Sequence, residues 1–245
     1  MNKISHSVKR IIIVLLVTII LCGIAGGVYY GIEGYKFYKE ETEIKPVAEM
    51  LERIQSKESF TEYKDLPQIY IDAVISAEDK RFERHPGIDV LAIMRAAATD
   101  LRTMSFVEGG STITQQLAKN ELFTHDKNFT RKFAEIFAAF ELEKEYTKEE
   151  IFEMYVNSIY FGDGYYGVGE ASEGYFGKTP QELEDWQCVL LAGLPNAPSV
   201  YTPSENPDLA VKRMSVVLKR MIACKKITNE AADDIYDAAR DYYFE

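Results

Sequence analysis

The hydrophobic positions begin with an unbroken run. Ile11 to Tyr30 carry no charge over 20 positions, and a helix rising about 1.5 Å per residue at that length spans the ~30 Å hydrocarbon core of a bilayer. The run is longer than the apolar core of a cleaved signal peptide, and Leu21 precedes Cys22 where a lipoprotein signal wants a small residue. A retained anchor is the reading. From Tyr35 to about Lys64 charged residues dominate without strong periodicity and Pro46 interrupts them, which predicts a partly helical connector.

Beyond the connector, apolar residues recur at helical spacing: Tyr70, Ala73, Val74 and Ala77, then Phe133, Phe137 and Phe140, then Ile151, Met154 and Tyr155, then Val211, Met214, Val217 and Leu218. Capping signals mark starts at Thr147 with Glu150, at Thr179-Pro180 with Glu182, and at Asn206-Pro207. Breaks fall at His85-Pro86-Gly87, Glu108-Gly109-Gly110, Gly162-Asp163-Gly164 and Leu194-Pro195-Asn196. Strand-like alternation is nearly absent, so the pattern predicts a mainly α domain of roughly eight to ten helices. The expected order is a cytoplasmic tail 1–10, a transmembrane helix 11–30, a connector 31–59 and one domain over 60–245.

Composition narrows the function classes. A hydrophobic content of 47% supports a globular domain with its own core, whereas a net charge of −11 argues against a nucleic-acid partner. Any phosphate chemistry must then use a local basic cluster. Lys3, Lys9 and Arg10 before the apolar run keep the N-terminus inside, which puts everything after Tyr30 outside the cytoplasmic membrane, in the extracellular or periplasmic space. Outside the anchor only Cys188 and Cys224 remain, with no Cys-x-x-Cys and three His in the chain, so neither a zinc site nor a disulfide framework is indicated. Two packed thiols are expected, with one optional disulfide between them. The acidic end, from Glu230 to Glu245, reads as a solvated helix face backed by Ala231, Ile235, Ala238 and Ala239.

Three segments carry candidate chemistry. In Ser76-Ala77-Glu78-Asp79, Glu78 stands beside an apolar stripe just before a loop, where partial desolvation makes a carboxylate a stronger base. In Gly109-Gly110-Ser111-Thr112, Ser111 or Thr112 caps a helix carrying Gln115, Gln116, Lys119 and Asn120, and helix N-termini receive anions well. In Arg131-Lys132-Phe133-Ala134-Glu135, two cations precede Glu135 by four and three residues and share its face.

Together these segments closely resemble the glycosyltransferase family 51 domain of peptidoglycan polymerases, which includes class A penicillin-binding proteins and monofunctional transglycosylases. Lys148 to Asn157, and then Gly167 to Lys178 followed by Leu191 to Pro198, continue the likeness in order, over about residues 60–225. The resemblance implies an all-α, lysozyme-like fold with a small membrane-facing lobe. It implies polymerisation of lipid II into β-1,4 glycan with inversion, undecaprenyl pyrophosphate leaving. By that likeness Glu78 is the general base, and Lys119, Arg131 and Lys132 surround the pyrophosphate. Glu135, the second functional carboxylate, orients those cations or binds a divalent metal. Asp79, Phe82, His85, Gly87, Ser111, Thr112, Gln115, Gln116 and Asn120 match the same motifs as substrate contacts, with His85 fixing its loop by hydrogen bonds. Lys148, Tyr155 and Asn157 brace the cleft. No cofactor is required on this reading, and Mg2+ or Mn2+ at the pyrophosphate is the one metal it allows.

The partners implied are lipid II, the growing lipid-linked strand, the membrane, and the transpeptidases and cell-wall synthesis machinery that cross-link the product. No Ser-x-x-Lys motif occurs, so β-lactams are expected to have no direct target, while moenomycin is expected to block the donor site. Val156 stands where the family often has Leu, and Glu170, Ser172 and Glu173 make their block more acidic and polar than usual, which bears on donor-strand contacts.

Overall fold

The computed structural model describes residues 6–103, 109–123 and 128–244; Lys3, Glu108 and Glu245, named above, lie outside them. Helix α1 runs unbroken over His6–Ile44, a length of about 58 Å. Among the described residues it is the one helix long and apolar enough to cross a membrane. It continues past Tyr30 through the first half of the connector, which the sequence pattern expects to be partly helical. The reason is a face the apolar count passes over. Gly31, Gly34 and Tyr38 recur at helical spacing and pack on helix α6 (Phe129–Glu145), while Phe37 packs on Phe123. A Cβ on Gly34 would lie 2.5 Å from Phe133 Cβ, so glycine lets the two helices approach. Aromatic pairs seal the seam, with Tyr30 against Phe129 at 5.5 Å and Tyr35 against Phe137 at 5.2 Å. Pro46, which disfavours helix in the residue before it, stops the run.

After α2 (Met50–Gln55), the domain is built from α3 (Gln68–Glu78), α4 (Val90–Thr103), α5 (Ile113–Leu122), α6, α7 (Lys148–Val156), α8 (Val168–Phe176), α9 (Asp185–Gly193), α10 (Pro207–Ala223) and α11 (Asn229–Phe244). A short antiparallel hairpin, β1 (Tyr160–Gly162) with β2 (Tyr165–Tyr166), turns at the expected Gly162-Asp163-Gly164 break. The architecture is the all-α, lysozyme-like one.

Helix α9 is buried on every side from Trp186 to Gly193, as a helix apolar all round must be. Helices α3, α10 and α11 pack around it, while α5, α6 and α7 form a second group. Thr179-Pro180 starts only a three-residue 3-10 turn rather than a helix; α9 has its own capping box, Glu184 with Gln187. The stripe of α11 is Ala232, Ile235 and Ala239, one residue out of phase from Ala231 and Ala238. On α6 the buried face toward the domain is Ala134, Glu135, Ala138 and Leu142, and the phenylalanines face α1 or solvent. Helix α4 presents Val90, Leu91, Ile93 and Met94 to the exterior.

Candidate active site

Glu78 is the last residue of α3, half-buried where the helix meets the cleft. Its Oε2 accepts a 2.9 Å hydrogen bond from Gln116 Nε2 of α5, and its Oε1 has no hydrogen-bond partner among the described residues. Gln116 is itself oriented from behind, since the Tyr155 hydroxyl donates to Gln116 Oε1 at 3.3 Å. Burial pushes the Tyr155 hydroxyl well above its ordinary pKa, so it remains a donor.

The next residue, Asp79, is buried and accepts from the Ile113 backbone N–H at 3.1 Å, with His85 Nε2 at 2.8 Å from the same oxygen. These bonds tie the loop after α3 to the start of α5. Gly87, at φ +93°, lies flat on α6, where a Cβ would stand 2.9 Å from the Ala139 carbonyl oxygen; its own carbonyl accepts from Thr112 Oγ1 at 2.6 Å.

The start of α5 follows from its cap. Thr112 and Gln115 form a reciprocal capping box, which points Gln116, one residue on, at the cleft and leaves Lys119 a turn further along. Burial lowers the Lys119 pKa, and its ammonium is within electrostatic reach of Glu135, Arg131, Lys132 and Glu78. On α6, Lys132 Nζ lies 2.7 Å from Glu135 Oε2 and donates to Ser111 Oγ at 2.7 Å, while Arg131 Nε pairs with Glu135 Oε1 at 3.2 Å. Both oxygens of the buried Glu135 thus face cations. That setting disfavours a divalent ion, and among the described residues no three His, Cys, Asp or Glu side chains converge to hold one. The donor set suits an anion rather than a metal.

A cleft of about 490 Å³ brings together Glu78, Asp79, Ser111, Thr112, Gln116 and Lys119. The remaining residues expected at the substrate divide. Arg131, Lys132 and Glu135 flank the cleft behind Ser111. Phe82, His85, Gly87, Gln115 and Tyr155 are buried around it, and Lys148 lies 4.4 Å above the Phe82 ring. Asn157 is away from it, its amide bonded to Thr61 and the Glu153 carbonyl, and Asn120 is exposed and does not line it.

The cleft also holds two cations that lie in none of the three sequence segments. Arg213 and Arg220 of α10 line the same cleft. Arg220 Nη1 donates to the Ala77 carbonyl beside Glu78. Arg213 donates from Nε to the Gly193 carbonyl at 3.2 Å, and its buried Nη2 has no hydrogen-bond partner among the described residues. Burial lowers its pKa. Their spacing of seven residues puts them on one face of α10, a signal present in the sequence but hidden beside the apolar stripe. Cys188 and Cys224 are both free; burial pushes the Cys188 thiol up to about 12, whereas Cys224 is only half-buried, at the cleft.

The described domain is all-α, follows a membrane-length helix and holds a carboxylate in a cleft that Lys119, Arg213 and Arg220 also line. The chain belongs to the transglycosylase family, which matches residues 44–222. It is 41% identical over 188 residues to penicillin-binding protein 1A of Neisseria gonorrhoeae, covering 77% of this chain and 24% of that relative. Penicillin-binding protein 1A of Pseudomonas aeruginosa is 44% identical over 160 residues, covering 65% of this chain and 20% of the relative. Among solved structures, penicillin-binding protein 1A from Haemophilus influenzae aligns with 27% identity and a TM-score of 0.42, over 74% of this chain and 17% of that one. The chain spans about a quarter or less of the length of the curated relatives it matches.

Proposed function

We propose that this domain is a peptidoglycan glycosyltransferase that polymerises lipid II at the outer face of the cytoplasmic membrane. The observation that carries the reading is the placement of Glu78, with one carboxylate oxygen unclaimed, in the same cleft as the half-buried ammonium of Lys119. Glu78 takes the proton from the 4-hydroxyl of the acceptor as that oxygen attacks the donor's anomeric carbon. The bond to the lipid pyrophosphate breaks, and the anomeric centre inverts. Negative charge grows on the leaving pyrophosphate, where Lys119, Arg131 and Lys132 stabilise it. Arg213 and Arg220 add positive charge to the same cleft. No step is routed through a metal.

Membrane placement supports the same reading. The polyprenyl tails of both substrates stay in the bilayer, α1 supplies a membrane-length helix, and the apolar exterior of α4 suits a lobe resting on lipid. Lys9 and Arg10 before the apolar run set the N-terminus inside, which leaves the cleft outside.

Substituting Glu78→Gln is expected to reduce polymerisation of lipid II by ~10²-fold or more while the thermal unfolding profile stays that of the parent. Undiminished polymer from that variant overturns the base assignment. Muropeptide release from finished wall, without polymer from lipid II, overturns the transferase reading in favour of a hydrolase.

A further inference from the structure

Glu143 lies outside the cleft and outside every motif considered above, yet four parts of the site meet on it. It projects from α6, with its side chain 10% exposed. One oxygen, Oε1, accepts from Thr114 Oγ1 in the first turn of α5 at 2.6 Å and from Lys148 Nζ at the start of α7 at 2.7 Å. Lys148 in turn donates to the His85 carbonyl at 2.7 Å. The Glu143 Cγ stands 3.2 Å from where a Gly87 Cβ would be, so the loop that starts at Glu78 rests on the Glu143 stem. Any slide of α6 along that loop, or of α5 against it, must break this junction.

The helices so joined carry the two halves of the proposed chemistry. Glu135 lies eight residues before Glu143 on α6, about two turns or ~12 Å along one face. Helix α5 carries Lys119 and the Gln116 that holds Glu78. We propose that Glu143 is a positioning residue. Its carboxylate, shared by Thr114 and Lys148, sets the register of α6 and α5 against the loop after Glu78, and so sets the spacing between the proton acceptor and the cations. The inference rests on the glycosyltransferase reading. Reaction rates depend steeply on such spacing, a displacement of about 1 Å being able to cost ~10²-fold.

The test uses the full chain in detergent with lipid II as substrate, well below the unfolding temperature. Glu143→Gln is expected to lower kcat by about 10- to 100-fold with KM little changed, while inorganic pyrophosphate still stabilises the variant thermally as it does the parent. Adding Lys148→Met removes the ammonium left without its carboxylate. The double variant is expected to regain the stability that Glu143→Gln loses without regaining kcat, because the junction at Glu143 is still broken and the His85 carbonyl has now lost its Lys148 donor as well. Should Glu143→Gln fail to fold, Glu143→Asp keeps the charge but is one methylene short of spanning both partners, and the same loss of kcat is expected.

A kcat within twofold of the parent in the folded single variant, or recovery of kcat together with stability in the double variant, reduces Glu143 to a structural ion pair and overturns the proposal. If the unsubstituted chain makes no polymer, the glycosyltransferase reading fails, and this inference with it.

Discussion

Lys119, proposed above to face the leaving pyrophosphate, works against the fold that holds it. Burial lowers its pKa, which means that the folded protein disfavours the ammonium. The sign follows: the destabilisation is present below the folded-state pKa and fades as pH rises through it toward the unfolded value. An anion in the cleft removes the penalty by pairing with the charge. Lys119→Met is therefore expected to raise Tm by about 2 °C in the absence of anions and to lower polymerisation by ~10²-fold. The stabilisation by inorganic pyrophosphate, read in a thermal-shift titration, should shrink with it. A variant that is both less stable and less active would show that Lys119 is structural.

At this scale the sequence discloses some residues and hides others for physical reasons. Glu78 is visible because a carboxylate ending an apolar helical stripe has few places to go but a cleft. Gln115 and Gln116 cannot be separated by composition, yet Thr112 with Gln115 has the spacing of a capping box, and that assigns Gln115 to the backbone and Gln116 to the cleft. Arg213 and Arg220 sit at the edge of a strong apolar stripe, so periodicity assigns their helix to the core and says nothing of its rim. Glu143 is invisible in sequence, because its partners lie 29 residues away at Thr114 and five away at Lys148.

Among the elements, the seam between α1 and α6 departs furthest from expectation. The phenylalanines of α6 recur at helical spacing and read as a core stripe, but Phe133 and Phe137 face the anchor helix, while the small residues Ala134 and Ala138 face the domain. Sequence periodicity identifies a buried face without naming what covers it. Gly34 gives a test in which two effects compete. Alanine is the better helix former by about 1 kcal/mol, but its Cβ would lie 2.5 Å from Phe133 Cβ, and overpacking costs roughly 1–3 kcal/mol. Gly34→Ala is therefore expected to destabilise the protein in detergent unfolding, with Phe133→Ala restoring part of the loss. Gly27, which has nothing within 4 Å, should tolerate the same change. Equal behaviour of the two glycines would mean that the seam is not tightly packed.

For the molecule as a whole, the boundary between anchor and domain does not fall where hydropathy changes. The apolar run stops at Tyr30, but α1 continues to Ile44 and its last turns complete the surface of α6. Two truncations separate these roles. A chain starting at Gly31 keeps Gly34, Phe37 and Tyr38 in place and is expected to remain monodisperse in size-exclusion chromatography with mild detergent. A chain starting at Lys45 uncovers Phe123, Phe133 and Phe137 and is expected to aggregate. If both behave alike, the seam contributes little to the folded state.

The unbroken run of α1 across that boundary constrains motion as well as position. The 14 residues from Gly31 to Ile44 extend about 21 Å beyond the apolar segment, with no hinge between bilayer and domain and with their side locked to α6. A flexible leash would let the cleft swing toward and away from its substrates. This one is a stanchion, holding the cleft at a fixed height and heading. On the proposed function, growth of a strand then comes from the strand sliding past a stationary cleft, like material drawn through a die rather than units gathered by a reaching arm.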